Sequence, residues 1–132
     1  MNDPCNFRHC NVVIADDEEA VTTSVSEIVR DMGHTVVTVD DGDRALETIL
    51  KSPDHYQLLI TDHMMLRMDG LELVEELKNL RFPGKILVLT GYTNVDLAES
   101  YRRLGVDKIM HKPFSPGVLR LAVRELTAHS KT

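Results

Sequence analysis

The chain has 132 residues, 15 basic against 21 acidic, a formal net charge of -6 and a hydrophobic content of 42%, enough apolar mass for one core covered on both faces. The acidic balance and the lack of a Lys/Arg block argue against a nucleic-acid surface. The polar start, Met1 to Cys10, has no apolar segment of the secretory kind, and no apolar run approaches the roughly 20 residues of a membrane span, so a cytoplasmic protein without membrane insertion is expected.

Residues 1–10 read as a leader, 11–128 as one domain and 129–132 as a tail. Both cysteines, Cys5 and Cys10, lie in the leader, which excludes a disulfide framework. With His9 they supply only part of the four ligands that a closed zinc site requires, so a loosely packed leader is the simpler expectation.

Strand-like and helix-like segments then alternate. The apolar run Val12-Val13-Ile14-Ala15 precedes a helical pattern of Val21, Val25, Ile28, Val29 and Met32, stopped by Gly33. A β-branched run, Thr35 to Val39, leads through the turn Asp40-Asp41-Gly42 to a helix with Ala45, Leu46, Ile49 and Leu50 inward, ended before Pro53. Leu58-Leu59-Ile60-Thr61 is the third strand, and after Asp69-Gly70 a helix carries Leu73, Val74, Leu77 and Leu80 on one stripe. Pro83-Gly84 turns the chain into Ile86-Leu87-Val88-Leu89, and past Gly91 a helix presents Val95, Ala98, Tyr101 and Leu104 before Gly105. A last strand, Val106 to Met110, precedes Pro113 and a helix with Leu119, Ala122, Val123 and Leu126 inward.

Five βα units in succession predict an α/β fold, a parallel sheet with helices on both faces. The second strand alternates Val with Thr, which suits an edge, whereas the first, third and fourth are apolar throughout. The predicted strand order is therefore 2-1-3-4-5, with the first and third strands flanking the topological switch point.

Asp16-Asp17, Asp62, Thr90 and Lys112 each follow one of these strands. In open α/β sheets the chemistry sits beyond such carboxyl ends. Taken singly, Asp16-Asp17-Glu18-Glu19 is also good helix-start chemistry, Asp62 an ordinary loop acid and Lys112 an ordinary surface lysine. Brought together to about 4 Å, three carboxylates repel by roughly 4 kcal/mol per pair at an effective dielectric near 20, so the cluster must bind protons or a cation. An all-oxygen site of this kind suits Mg²⁺. Acid cluster, cation, lysine and hydroxyl describe phosphoryl transfer to a carboxylate: Asp62 attacks, while Lys112 and Thr90 hold phosphoryl oxygens and Gly91 leaves room for the anion.

At these residues the chain resembles the receiver domain of bacterial response regulators. The resemblance runs from about Asn11 to Leu126 and rests on Val13-Ile14-Ala15-Asp16-Asp17, Leu59-Ile60-Thr61-Asp62 with the loop to Asp69-Gly70, Leu87-Val88-Leu89-Thr90-Gly91, and His111-Lys112-Pro113-Phe114. It implies the flavodoxin-like (βα)5 sandwich typified by chemotaxis regulators. It also implies that Asp62 accepts a phosphoryl group from a sensor histidine kinase or histidine phosphotransfer protein. Asp17 is then the direct Mg²⁺ ligand, Asp16 acts chiefly through water, the Met64 backbone carbonyl is a further ligand and Lys112-Pro113 is cis. The implied output is altered binding of a downstream partner, with a homodimer among the candidates, at a face of the fourth helix, fifth strand and fifth helix where Tyr92, Tyr101, Arg102, Arg103 and Lys108 lie. The domain is then no enzyme beyond its own phosphotransfer and slow hydrolysis.

Two residues depart from the family pattern. Leu66 stands where proline is usual, which predicts a less rigid loop, and Ile109 stands where an aromatic residue commonly swings inward with the threonine. Met64 and Tyr92, two residues past Asp62 and Thr90, flank the phosphate mouth in this family, and neither activates water well, which predicts slow self-dephosphorylation. His34, His55, His63, His111 and His129 read as solvated or packing residues.

The alternative within this fold is a degenerate receiver acting as a phosphorylation-independent binding module. A phosphatase of the haloacid dehalogenase type needs an acid two residues after the nucleophile, where Met64 stands. Flavin binding is disfavoured because Asp16-Asp17-Glu18-Glu19 would repel a flavin phosphate.

Overall fold

The structure is a computed structural model that describes residues 9–91 and 94–128, so Cys5, Tyr92, His129 and the tail 129–132 lie outside the described residues. Five strands, β1 (Asn11–Ala15), β2 (Thr35–Val39), β3 (Leu58–Asp62), β4 (Lys85–Thr90) and β5 (Lys108–His111), alternate with α1 (Glu19–Asp31), α2 (Gly42–Lys51), α3 (Gly70–Asn79), α4 (Val95–Arg103) and α5 (Pro116–Thr127). The sheet is parallel throughout and ordered β2-β1-β3-β4-β5, as predicted.

The strand pleat divides the core. Val12 and Ile14 of β1, with Leu58 and Ile60 of β3, face α1 and α5, where Val25, Val29, Leu119 and Val123 complete one cluster. Val13 and Ala15, with Leu59, face the other way onto α2, α3 and α4, meeting Ile49, Leu73, Val74 and Tyr101. This period-two division places helices on both faces and leaves the carboxyl ends of the strands open. Among the described residues no helix is long and apolar enough to cross a membrane.

Local chemistry fixes the helix starts. Asp69 and Glu72 form a reciprocal capping box on α3, Asn94 accepts the Asp96 and Leu97 amides at the start of α4, and Ser115 caps α5 ahead of Pro116. Gly33 and Gly105, at φ 99° and 81°, take the left-handed conformation that closes α1 and α4.

Four expectations need correction. β5 begins at Lys108 instead of Val106, because Asp107 is occupied in bracing β4: its amide donates to the Ile86 carbonyl at 3.0 Å and its carboxylate accepts the Ile86 amide at 2.8 Å. The inward stripe of α4 is Leu97, Tyr101 and Leu104, while Val95 and Ala98 are exposed. Leu50 and Leu80, at the ends of their helices, are about half exposed. His9 and Cys10 are not loosely packed: the His9 ring bonds the Gly33 carbonyl and the Thr35 hydroxyl at 2.8 and 3.1 Å, and Cys10 is buried.

Candidate phosphoacceptor site

The site forms where β1 and β3 end side by side. Asp16 follows β1 and donates its amide to the Val39 carbonyl of β2 at 3.1 Å, and Asp62 is the last residue of β3. Both are buried, with relative exposures of 2% and 6%, whereas Asp17 is exposed. Oxygens of Asp16, Asp17 and Asp62 all lie within 4.8 Å of one another.

Backbone amides orient the two buried acids. The Glu18 amide donates to Asp16 Oδ1 at 2.9 Å and the His63 amide to Asp62 Oδ1 at 2.8 Å. Their other oxygens face one cation: Lys112 Nζ lies 3.0 Å from Asp16 Oδ2 and 3.2 Å from Asp62 Oδ2, with Glu18 Oε1 at 3.6 Å. The Lys112 backbone is fixed in turn by its amide, which donates to the Thr90 carbonyl at 2.8 Å, and the Lys112-Pro113 bond is cis.

Burial pushes the Asp16 carboxyl above its usual range, and the Asp62 charge adds to this against the pull of the Glu18 amide and Lys112. Burial works against the Lys112 ammonium too, but Asp16 and Asp62 outweigh it and hold its pKa above the ordinary value. One partly buried ammonium against three carboxylates leaves negative charge uncompensated. The donor set is entirely oxygen and partly open to solvent through Asp17, which fits a hard divalent ion that retains waters, such as Mg²⁺.

The other predicted residues surround this centre. Thr90, buried, ends β4, the strand beside β3, and the Met64 side chain is half exposed just beyond Asp62. Gly91 faces open space, since a Cβ there would meet nothing within 4 Å. That open space is in keeping with room for an anion beside Thr90. A neighbouring groove of about 730 Å³ is lined by Asp16, Asp17, Thr22, Ser26 and Arg30 among others, but not by Asp62, Thr90 or Lys112.

Leu66 is 89% exposed, yet the loop around it is held from below. Asp41, buried at the start of α2, accepts the Arg67 amide at 2.9 Å and the Met68 amide at 2.8 Å, and also binds the Asp43 amide at 3.4 Å. Burial alone would raise the Asp41 pKa, but these amides together lower it below 3.8. This clamp supplies constraint where the sequence predicts looseness; an acid before a helix start was visible only as turn chemistry.

Sequence reading also missed the partner of Tyr101. This residue is fully buried instead of lying on the outer face with Arg102 and Arg103, and its hydroxyl bonds His63 Nδ1 at 2.6 Å. The signal available was a tyrosine on an inward helical stripe, which needs a partner for its hydroxyl. His63 is thus a packing residue, as expected, whereas His111 is exposed.

The response regulator receiver domain family matches residues 12–124. Over 126 residues the chain is 36% identical to the transcriptional regulatory protein PdtaR of Mycobacterium tuberculosis, covering 89% of this chain and 60% of that protein. It is 30% identical to the alkaline phosphatase synthesis transcriptional regulatory protein PhoP of Bacillus subtilis, covering 91% and 49%. The chain spans about half the length of these curated relatives. Among solved structures it is similar to the chemotaxis response regulator CheY4 of Vibrio cholerae, with a TM-score of 0.81, 26% identity, and coverage of 90% of this chain and 99% of that one.

Proposed function

This chain belongs to the response regulator receiver domain family of two-component systems, and from that premise we propose that Asp62 is a phosphoacceptor whose phosphorylation switches partner binding. The observation that carries the reading is the convergence of Asp16 and Asp62 on Lys112 Nζ at 3.0 and 3.2 Å beside a third acid. A structural ion pair needs one carboxylate for one ammonium, so the excess acid calls for a function.

The donor is a phosphohistidine on a sensor kinase or a phosphotransfer protein. An Asp62 oxygen attacks phosphorus in line as the phosphorus–nitrogen bond to the imidazole breaks, and the leaving imidazole takes up a proton from solvent. Asp17, Asp62 and the Met64 carbonyl, with Asp16 acting through water, would hold Mg²⁺, which when bound would supply positive charge beside the phosphoryl oxygens. Lys112, already at Asp62, holds one of those oxygens without crossing the site. The Thr90 hydroxyl donates to another, so catalysis is positioning and electrostatic stabilisation.

Phosphorylation adds roughly two negative charges at Asp62 and draws Lys112 and Thr90 toward them. The downstream protein, or a second copy of the chain, reads the face of α4, β5 and α5. Exposed Val95, Arg102 and Arg103 lie on α4, half-exposed Val118 and Leu121 on α5, and Lys108 pairs with Glu125 at 3.4 Å between β5 and α5.

Intact-mass spectrometry after incubation with acetyl phosphate, with and without Mg²⁺, tests the reading. A Mg²⁺-dependent phosphoryl adduct that vanishes in Asp62→Ala is expected. No adduct with acetyl phosphate or with a competent phosphohistidine donor would overturn it in favour of a phosphorylation-independent binding module.

A further inference from the structure

We propose that Tyr101 is a positioning residue that ties α4 to the phosphoacceptor, its hydroxyl coupling the state of Asp62 to the placement of α4 through His63. The inference deepens the phosphoacceptor reading and rests on it for its biological use, but the coupling itself is a property of the metal-free, unphosphorylated chain.

Tyr101 is the one buried residue of α4. Leu97 and Leu104 pack beside it only partly buried, so the seat of this helix on the core centres on a single ring. That ring meets the His63 ring edge-on, with centroids 5.6 Å apart at 84°, and its hydroxyl bonds His63 Nδ1 at 2.6 Å. Gly70 opens the slot: a Cβ there would stand 2.6 Å from the Tyr101 hydroxyl and 2.5 Å from the Asp62 carbonyl.

His63 is the junction. Its amide faces Asp62 Oδ1 at 2.8 Å and the Leu89 carbonyl at 3.2 Å, and its carbonyl accepts the Gly70 amide at 2.8 Å. Any change of charge or length at the Asp62 carboxylate therefore acts directly on the peptide that carries the His63 ring, as it does on Lys112 at the other oxygen. A buried hydroxyl is destabilised when it loses its partner, so Tyr101 must follow the ring or give up its seat. Burial, followed by the charges of Asp69 and Asp62, raises the Tyr101 pKa, so the hydroxyl keeps its proton and the bond persists. The polar end of the α4 anchor thus lies one residue from the reactive carboxylate, and its other end carries Arg102 and Arg103 to solvent.

The test is made by ¹H–¹⁵N NMR without metal or phosphodonor. Asp62→Asn removes the charge at the site, and the shift it causes at the amides of Val95–Arg103 is compared in the Tyr101 and Tyr101→Phe backgrounds. The expected result is a response along α4 with tyrosine that is lost with phenylalanine, while β3 amides beside Asp62 respond in both. His63→Phe breaks the same bond from the other side with the sequence of α4 unchanged, and should lose the same response; combined with Tyr101→Phe it should lose no more.

An undiminished α4 response in Tyr101→Phe overturns the proposal. So does a response lost in His63→Phe but kept in Tyr101→Phe, because that would assign the effect to packing. Tyr101→Phe keeps the ring, and should it fail to fold, His63→Phe carries the test against wild type, an undiminished response there overturning the proposal. Intact mass of the same samples after acetyl phosphate and Mg²⁺ separates the two ideas. A wild type that takes no adduct while the metal-free coupling stands defeats the phosphoacceptor reading alone, and an adduct without coupling defeats this inference alone.

Discussion

Lys112 Nζ lies 3.0 Å from Asp16 Oδ2, although 96 positions separate the two residues in the chain. The pair exists because β1 and β5 deliver both to the same end of one sheet, with Asp62 of β3 between them at 3.2 Å from the same nitrogen. A lysine in this place serves two opposed ends. Its ammonium offsets part of the acids' charge, and on the proposed function it would compete with a divalent ion for the same oxygens.

Lys112→Gln therefore tightens Mg²⁺ binding while slowing phosphorylation. Removing a unit charge at this range exceeds about 1.4 kcal/mol at an effective dielectric near 20, so Mg²⁺ affinity should rise at least about tenfold. Losing a preorganised donor to the phosphoryl group should slow adduct formation with acetyl phosphate by about 10²-fold. Calorimetric Mg²⁺ titration and timed intact-mass spectra read the two effects separately. Weaker Mg²⁺ binding in the variant would show that Lys112 organises the acids and does not compete for them. The stability loss should stay below the roughly 3–5 kcal/mol of breaking a fully buried pair, because the site is open at Asp17.

The Asp41 clamp gives a pH prediction. Its carboxyl has a folded pKa below the usual 3.8, so its contribution is fully present above that value and is lost as pH falls through the folded pKa. Asp41→Asn should lower stability by about 1–3 kcal/mol near neutral pH, since amides that bonded a charged acceptor are left with a weaker one. Urea unfolding at pH 7 and at a series of acid values should show the difference from wild type shrinking as pH drops below 3.8. A gap that stays constant into acid would remove charge from the explanation.

The proposed function predicts that Met64 limits the access of water to the phosphorylated Asp62. Its half-exposed thioether beside Asp62 offers no useful hydrogen bond to an attacking water. Met64→Asn supplies an amide NH₂ that donates and a carbonyl that accepts, and a neutral hydrogen bond worth about 1 kcal/mol in the transition state corresponds to roughly fivefold in rate. The phosphorylated lifetime, followed by loss of the adduct mass, should shorten by that factor. An unchanged lifetime would mean that Met64 does not limit hydrolysis.

The strand order and the assembly of Asp16, Asp17, Asp62, Thr90 and Lys112 were legible in the sequence because both depend on where apolar runs stop. A buried parallel strand announces itself by continuous hydrophobicity, and the residue after it must stand at the carboxyl end of the sheet. Residues whose role depends on long-range partners were not legible. Val95 and Leu97 stand about 200° apart around the helix, so only one of them can face the sheet; the stripe that packs is Leu97, Tyr101 and Leu104, which leaves Val95 82% exposed. Asp41 read as a turn residue because its partners, Arg67 and Met68, follow more than 20 positions later. Val106 and Asp107 read as strand because period and β-propensity carry no record of an aspartate carboxylate reaching across to the Ile86 amide.

Two glycines near the site make opposite predictions. A Cβ on Gly70 would lie 2.5 Å from the Asp62 carbonyl and 3.1 Å from His63 Cα, and backbone at those distances can yield only if β3 and α3 separate. Gly70→Ala should therefore cost about 1–3 kcal/mol, as overpacking in a dense interior does, and should slow phosphorylation by displacing Asp62. Gly91→Ala meets nothing within 4 Å, so its stability should stay within about 0.5 kcal/mol of wild type, with phosphorylation by acetyl phosphate preserved. Thermal melts and adduct kinetics of the two variants, run side by side, check both. A destabilised or unreactive Gly91→Ala would show that the opening beside Thr90 does depend on the glycine.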